Sequence, residues 1–212
     1  MALLETKYIE LCNNPCDINE HLPTLKAYAQ ECSSVFETGV RGVVSSYALL
    51  YGLVENKNRT DKVIFLNDIE HCDIADFKKI AESNSVSVKY EWINNLDLVF
   101  SNNENYDLTF IDTFHVYPQL IRELNKFSQV TNKYIIMHDT TVDEFEGELI
   151  RNCGGYNSNR IDETSKNTGF SPEDLCKGLR PAIEEFLINN KNWQIKEVFT
   201  NNNGLTILEK LF

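Results

Sequence analysis

The chain has 212 residues, of which 42% are hydrophobic and 25% are charged, and its formal net charge is −12. This length and composition are typical of one globular domain, so we expect a single domain over residues 1–212. The acidic excess would repel the phosphates of nucleic acids and of anionic membranes, which excludes both as expected partners. A small molecule is the expected partner, and assembly into a homo-oligomer stays open.

Two features of the sequence predict a cytoplasmic protein. No apolar run reaches the roughly 20 residues that span a bilayer, and the N-terminus lacks the order of basic, apolar and small residues found in signal peptides. The six cysteines show neither CxxC pairs nor the density of a disulfide-stabilised scaffold. We therefore expect free thiols.

Two helical stretches are predicted within residues 1–33. The first covers residues 3–11. In the second, Leu22 and Leu25 recur at helical spacing, and Asp17 is the candidate N-cap. We expect both helices to pack over one edge of a sheet.

From Ser34 onward, short apolar runs alternate with amphipathic segments. This alternation is typical of βαβ units, so it predicts a doubly wound α/β fold whose parallel sheet is covered on both faces. The predicted strands cover residues 35–36, 63–66, 86–90, 108–111 and 134–137, and the predicted helices between them cover residues 44–54, 74–83 and 117–127.

The C-terminal part departs from this alternation. A helix is predicted over residues 181–188, and Asn203-Gly204 separates two strand-like runs, 193–200 and 205–211. Because both turn residues tolerate positive φ, this pattern predicts a hairpin and an antiparallel end to the sheet. The polar segment 142–178 has little periodicity, so we expect a lid or substrate loop there.

Ligands of open α/β sheets bind at the carboxyl ends of the strands. The turn after the first strand, residues 37–42, reads Glu-Thr-Gly-Val-Arg-Gly. Its glycines let the backbone approach a ligand, although a purely structural tight turn is an equally good interpretation. The complete G-x-G-x-x-G pattern is absent, and Glu37 would repel a pyrophosphate, which favours a positively charged cofactor such as S-adenosylmethionine.

Acidic side chains also follow the second predicted strand. Asp68 or Glu70 could accept hydrogen bonds from ribose hydroxyls, as acidic residues do at this place in nucleotide-binding folds. The alternative is that both are solvated loop carboxylates.

Together these motifs resemble the class I S-adenosylmethionine-dependent methyltransferases. Within them, the chain most resembles the branch of cephalosporin-hydroxylase-like proteins and sugar or macrolide O-methyltransferases. The resemblance runs from about Ser34 to the C-terminus and implies a Rossmann-like fold, with a mostly parallel seven-stranded sheet and an antiparallel C-terminal hairpin strand. It is carried by Asp68, by the 37–42 turn with Val-Ser-Ser-Tyr-Ala at 44–48, by Asp-Leu-Thr-Phe-Ile-Asp-Thr-Phe-His at 107–115, and by Ile-Ile-Met-His-Asp-Thr at 135–140.

The resemblance implies methyl transfer from S-adenosylmethionine to a hydroxyl of a small molecule, such as a sugar or a glycosylated metabolite. Two departures bear on cofactor binding: Arg41 and Val43 stand where many relatives have glycine, and Asn94-Asn95 stand where Gly-Asp is common. The cofactor-binding residues that it implies are Glu37, Gly39, Arg41, Ser45, Asp68, Asn94, Asn95, Asp112 and Phe114.

His115 and Asp112 are the candidate catalytic residues. A histidine titrates near neutrality, so His115 could take the proton of the acceptor hydroxyl, while Asp112 orients the acceptor. The alternative for His115 is that it caps the helix that begins near Tyr117.

A metal site is implied at the ends of adjacent strands. Asp112, His138 and Asp139 could hold a hard divalent ion such as Mg²⁺, although relatives with a metal usually present a second carboxylate in place of His138. The acidic run 143–146 either completes this shell or begins the lid as a solvated segment.

Two other functions stay open. The departures from the motif allow a non-catalytic module that keeps the fold and the cofactor. A nicotinamide-dependent oxidoreductase on a similar sheet is the third reading, against which the missing glycine pattern and Glu37 both count.

Overall fold

A computed structural model describes residues 1–211 and contains one seven-stranded sheet with the order β3-β2-β1-β4-β5-β7-β6. The first five strands are parallel, and β7 pairs antiparallel with both β5 and β6. This confirms the predicted fold class and the antiparallel end. The strands are β1 Ser34–Thr38, β2 Lys62–Asp68, β3 Val86–Trp92, β4 Tyr106–Ile111, β5 Thr131–His138, β6 Trp193–Phe199 and β7 Leu205–Lys210.

Nine α-helices flank the sheet in the described part of the chain. None of them is long and apolar enough to cross a membrane. They are α1 Ala2–Asn13, α2 Leu22–Gln30, α3 Val44–Glu55, α4 Ala75–Ser83, α5 Tyr117–Phe127, α6 Glu148–Asn152, α7 Ser158–Thr168, α8 Pro172–Leu175 and α9 Leu179–Asn189.

The alternating side chains of the strands form a core on each face of the sheet. On one face, Ile64 and Phe110 pack with apolar residues of helices α1 to α4. On the other, Phe36 and Phe65 stack with ring centroids 5.0 Å apart and pack with residues of α5 and α9. Because both faces are covered, the central strands are apolar on both sides, as expected for a parallel sheet.

The N-terminal helices pack on one face of the sheet, and the chain entering α2 reaches the edge strand β6, where the rings of His21 and Phe199 lie 6.1 Å apart. Helix α2 packs directly on α3, where Gly52 leaves room for the backbone of Lys26. At its C-terminal end, the Tyr28 ring meets Tyr134 of β5 with centroids 4.9 Å apart. Asp17 makes no helix cap, because α2 begins only at Leu22; its carboxylate pairs with the loop after β1 instead.

The segment after β5 is more ordered than the sequence predicts, because it contains α6, α7 and α8. Helix α7 buries only Ile161, so its sequence has almost no apolar face from which a helix could be recognised. Asn157 caps this helix by accepting a hydrogen bond from the Arg160 N–H at 3.1 Å. All six cysteines are free thiols, as predicted.

The turn between β6 and β7 is the predicted hairpin. Asn202, Asn203 and Gly204 have φ values of 46°, 69° and 96°, the conformation that this residue pattern favours. The Asn203 carbonyl accepts hydrogen bonds from the N–H groups of Thr141 and Val142, at 2.9 and 3.0 Å. The hairpin therefore supports the chain where it leaves β5.

Candidate functional site

A cavity of about 980 Å³ opens at the carboxyl ends of the parallel strands. It runs from Gly39, after β1, past Asp68, at the end of β2, to Asp112 and His115, after β4. Phe170, in the segment between α7 and α8, lines its outer wall. The cavity therefore lies where doubly wound sheets bind ligands, with the predicted lid beside it.

Gly39 allows β1 and β4 to approach each other at the cavity floor. Its φ is 89°, and a methyl group on its Cα would overlap the carbonyl oxygen of Asp112. The Gly39 N–H donates to the Asn67 carbonyl at 2.9 Å, and the Asp112 N–H donates to the Thr38 carbonyl at 2.9 Å. Both the backbone conformation and the available space therefore require glycine.

Replacing Gly39 with alanine should lower the free energy of unfolding by about 2 kcal/mol, from positive φ and from overlap with Asp112. Gly154→Ala is the matched control, because Gly154 also has positive φ (67°) but no other atom lies within 4 Å of the added methyl group. We expect the control to lose about 1 kcal/mol, from backbone strain alone. Urea unfolding measures both, and equal losses would contradict the close approach at Gly39.

Arg41 and Val43 adopt the glycine-like conformation although neither is glycine. Their φ values are 43° and 62°, a region that costs an ordinary residue about 1–2 kcal/mol. The Arg41 N–H donates to Asp68 Oδ2 at 2.9 Å, and the Arg41 guanidinium pairs with Asp17 Oδ2 at 2.7 Å. These two contacts hold Arg41 in its conformation.

Asp68 shapes the turn and faces the cavity. Its Oδ2 accepts the Arg41 N–H, and its Oδ1 accepts the Glu70 N–H at 2.8 Å. Each carboxylate oxygen has a second lone pair, so Asp68 can still accept hydrogen bonds from a ligand. Glu70 is exposed on the same wall.

Glu37 is fully buried beneath the turn and is not part of the cavity wall. One carboxylate oxygen accepts a hydrogen bond from the Ser45 hydroxyl, while the other has no partner among the described residues. Burial raises the pKa of Glu37 to about 8, and the charges of Asp112 and Asp68 add to this effect. Glu37 and Ser45 therefore support the turn from below.

Asn95 belongs to a buried polar network that sequence reasoning missed. Its amide group donates to the Thr38 hydroxyl at 3.0 Å and to Glu123, and its oxygen accepts from Gln119 at 3.1 Å. Its side chain is therefore committed inside the protein. Asn94 is exposed on the cavity wall, where its oxygen accepts the Leu96 N–H.

The residues predicted to bind a metal meet at the ends of β4 and β5. His138 Nδ1 lies 3.4 Å from Asp112 Oδ1 and 3.6 Å from Asp139 Oδ1. One ligand atom from each of the three residues lies within 4.8 Å of the other two. The His138 Nε2 is 3.2 Å from the carbonyl oxygen of Asn202, which fixes the ring from behind.

His115 lies in the same cluster and is surrounded by carboxylates. Its Nε2 is 3.2 Å from Asp112 Oδ1, and its Nδ1 is 3.0 Å from Asp139 Oδ2, 2.9 Å from Glu148 Oε2 and 3.5 Å from Asp143 Oδ2. Burial alone would lower the pKa of His115, but the carboxylates outweigh it and raise this pKa well above its ordinary value. The surrounding carboxylates therefore favour the protonated form of the His115 ring.

Asp143, Glu148 and Arg151 complete this cluster, and sequence reasoning placed none of them individually. Asp143 is fully buried, and both its oxygens accept hydrogen bonds from Arg151, at 2.7 and 2.8 Å. The alternative role of His115 as a helix cap is wrong, because Val116 occupies the cap position of α5 and makes no side-chain cap.

Two phenylalanines, Phe114 and Phe170, line the lid side of the cavity. Phe114 lines the cavity beside His115 and packs in the apolar cluster that contains Phe170. The Arg122 guanidinium lies 4.5 Å from the centroid of the Phe170 ring, which joins α5 to the lid segment. Phe114 thus lies at the mouth of β4.

No protein-family model matches the sequence, and no curated protein matches it either. Solved structures do match the fold. A Staphylococcus aureus protein provisionally described as a caffeoyl-CoA O-methyltransferase aligns at 15% identity with a TM-score of 0.59, over 98% of this chain and 91% of its own.

Two further structures contain a bound ligand. A Podospora anserina methyltransferase bound to S-adenosylhomocysteine aligns at 13% identity with a TM-score of 0.55, over 99% of this chain and 88% of its own. The O-methyltransferase TomG from Streptomyces achromogenes, in complex with S-adenosylmethionine, aligns at 13% identity with a TM-score of 0.53, over 92% of this chain and 81% of its own. The chain therefore has the Rossmann-like fold of the S-adenosylmethionine-dependent methyltransferases.

Proposed function

We propose that this protein is an S-adenosylmethionine-dependent O-methyltransferase that acts on a small molecule. The observation that carries the proposal is the charge of the cavity at the strand ends. Among the described residues its lining includes two arginines and no lysine, and Arg41 is paired with Asp17. The carboxylates on its wall are Asp17, Asp68, Glu70, Asp97, Asp112, Asp139 and Glu148.

This charge favours a cationic cofactor over a dinucleotide. S-adenosylmethionine carries an ammonium and a sulfonium group, whereas a pyrophosphate at the turn would find the Arg41 N–H already donating to Asp68. Arg122, the other cavity arginine, lies over Phe170 on the lid side. The oxidoreductase alternative therefore lacks a phosphate-binding site at the turn.

The cofactor would lie along the ends of β1 and β2. We place its methionine part against the backbone at Gly39 and Arg41, and its ribose hydroxyls on Asp68. Ile69 is 67% exposed on the same wall and gives the adenine an apolar surface, with Asn94 at its edge. The methyl group would then face Asp112 and His115.

The cluster at β4 and β5 fits a divalent cation. Asp139 is buried, yet its Oδ1 has no hydrogen-bond partner among the described residues and lies 3.6 Å from His138 Nδ1. We propose that Asp112, His138 and Asp139 hold the ion, for which Mg²⁺ is one candidate. A cation bound there would lower the pKa of an acceptor hydroxyl.

The acceptor would occupy the lid side of the cavity. Asp112 would orient its hydroxyl, and Phe114 with Phe170 would exclude water from the reacting atoms. Sugars and glycosylated metabolites are the acceptors that we propose to test first. Proton removal by His115 remains a prediction: it requires a neutral ring, whereas the neighbouring carboxylates raise the pKa of His115.

Calorimetric titration with S-adenosylmethionine tests the cofactor site. We expect one bound molecule per chain, and we expect Asp68→Asn to weaken binding about tenfold because a hydrogen bond to a charged acceptor is lost. Asp76→Asn is the matched control, since Asp76 is an exposed acid of α4 outside the cavity. Binding of NADH but not of S-adenosylmethionine would overturn the proposal, and cofactor binding without formation of S-adenosylhomocysteine would favour the non-catalytic module.

A further inference from the structure

The two oxygens of Asp139 face two different histidines. Oδ1 lies 3.6 Å from His138 Nδ1, and Oδ2 lies 3.0 Å from His115 Nδ1. The first histidine belongs with Asp112 in one group of converging ligand atoms, and the second belongs with Asp143 in another. A single carboxylate thus stands between two sets of metal-type ligands.

In both histidines, Nε2 has its own hydrogen-bond acceptor. The His138 Nε2 lies 3.2 Å from the Asn202 carbonyl oxygen, which can only accept, so this nitrogen carries the proton. The His115 Nε2 lies 3.2 Å from Asp112 Oδ1, also an acceptor. Metal-binding histidines are usually held this way, with the remote N–H on a carbonyl or a carboxylate and the other nitrogen free to ligate.

Two buried atoms in this cluster lack hydrogen bonds. His115 Nδ1 is buried, and carboxylate oxygens of Asp139, Glu148 and Asp143 lie within 3.5 Å of it, but none of them is aligned for a hydrogen bond. Asp139, of which only 6% is exposed, leaves Oδ1 without a partner. Buried polar atoms normally have well-aligned hydrogen bonds, so a nitrogen close to three carboxylates but aligned with none of them points to a cation shared among these groups.

We propose that His115 Nδ1, Asp139 and Asp143 bind a second divalent cation, which Asp139 bridges to the ion held with Asp112 and His138. Bridging by Asp139 depends on the first cation of the proposed function, whereas the second site is argued from the geometry of its own three residues. Distances of 3.0 and 3.5 Å from the nitrogen to the two carboxylates suit neighbouring ligands of one ion at about 2.0–2.2 Å. One nitrogen among oxygens favours Mn²⁺, Fe²⁺, Co²⁺ or Zn²⁺ over Ca²⁺.

The surroundings of the second site fix its ligands. Arg151 holds both oxygens of Asp143 and leaves each oxygen a free lone pair. Asp112 orients the His115 ring through Nε2. In this arrangement His115 is a ligand, so its role differs from that of the base predicted from the sequence.

Counting bound Co²⁺ tests the second site without any acceptor. Full-length protein is stripped with a chelator, dialysed against Co²⁺ alone, and analysed for metal content and visible absorption. We expect two equivalents in the wild type, one in His115→Ala and one in Asp143→Asn, with loss of part of the absorption. Asp139→Asn should lose both, and His71→Ala, which changes an exposed cavity histidine outside the cluster, should keep two.

Circular dichroism of each variant, with His115→Gln as a second substitution, separates loss of metal from loss of the fold. One equivalent in the wild type, or two in folded His115→Ala, would overturn the proposal, and the latter result would restore His115 as a base. Titration of the same samples with S-adenosylmethionine tests cofactor binding separately from metal binding. Two cations with no cofactor binding would contradict the proposed function alone.

Discussion

Glu37→Gln should stabilise the protein by roughly 4 kcal/mol at about pH 8, and by much less at about pH 5. The reason is the burial of Glu37 beneath the turn after β1. Burial raises its pKa in the folded protein to about 8, whereas an unfolded chain has the ordinary value of about 4.3. Glutamine keeps the shape and the contact with Ser45 but cannot ionise.

The direction of the pH effect follows from proton binding. Between about pH 4.3 and pH 8, the folded wild type keeps the proton on Glu37 while the unfolded chain releases it, so wild-type stability falls as the pH rises. The stability that protonated Glu37 contributes is fully present below the unfolded-state pKa of about 4.3 and is lost as the pH rises to the folded-state pKa of about 8. The variant lacks it, so the difference between the two proteins should grow with pH.

Urea unfolding of both proteins from about pH 5 to pH 8 measures this difference, because all other titrating groups are common to them. Glu70→Gln is the control for removal of one negative charge, since Glu70 is exposed on the cavity wall. Parallel pH curves for wild type and Glu37→Gln would mean that Glu37 is ionised in the folded protein.

His115→Ala should reduce methyl transfer by about 10²–10⁴-fold, once an acceptor is found by screening hydroxylated metabolites for release of S-adenosylhomocysteine. The ring lies at the acceptor end of the cavity, between Asp112 and Asp139. Its loss removes either a base or a ligand, and both losses impair deprotonation of the hydroxyl. The affinity for S-adenosylmethionine should change little, because His115 lies away from the turn after β1.

Separate measurement of the rate constant and of the cofactor dissociation constant checks this prediction. Glu163→Gln in α7 is a suitable control, because Glu163 is exposed and pairs with Arg160 at the surface. Turnover of His115→Ala at the wild-type rate would show that His115 has no role in methyl transfer. A large loss of cofactor affinity would show that the substitution disturbs the turn.

The parts of the fold that follow local rules could be predicted from the sequence. Helix α5 has the predicted bounds, because Pro118 suits its first turn and Leu120, Leu124 and Phe127 form one apolar face. The Asn203-Gly204 turn was likewise predicted, since its backbone demands these residue types. Helix α7 was missed because almost all its side chains face solvent.

The candidate site was predictable only where its residues sit at strand ends. Asp112 follows β4, and His138 and Asp139 stand at the end of β5, so parallel topology alone brings the three together. Asp143 and Glu148 contact His115 because the lid segment folds back over the strand ends, and no local sequence pattern specifies that fold.

A structure of the protein with S-adenosylhomocysteine bound tests the account most directly. We predict that the ribose hydroxyls lie on Asp68, that the methionine part follows the backbone at Gly39, and that the sulfur faces Asp112. The acceptor side of the cavity, next to His115, should stay open. A nucleoside bound elsewhere on the sheet, or a sulfur atom facing away from Asp112, would contradict methyl transfer at this site.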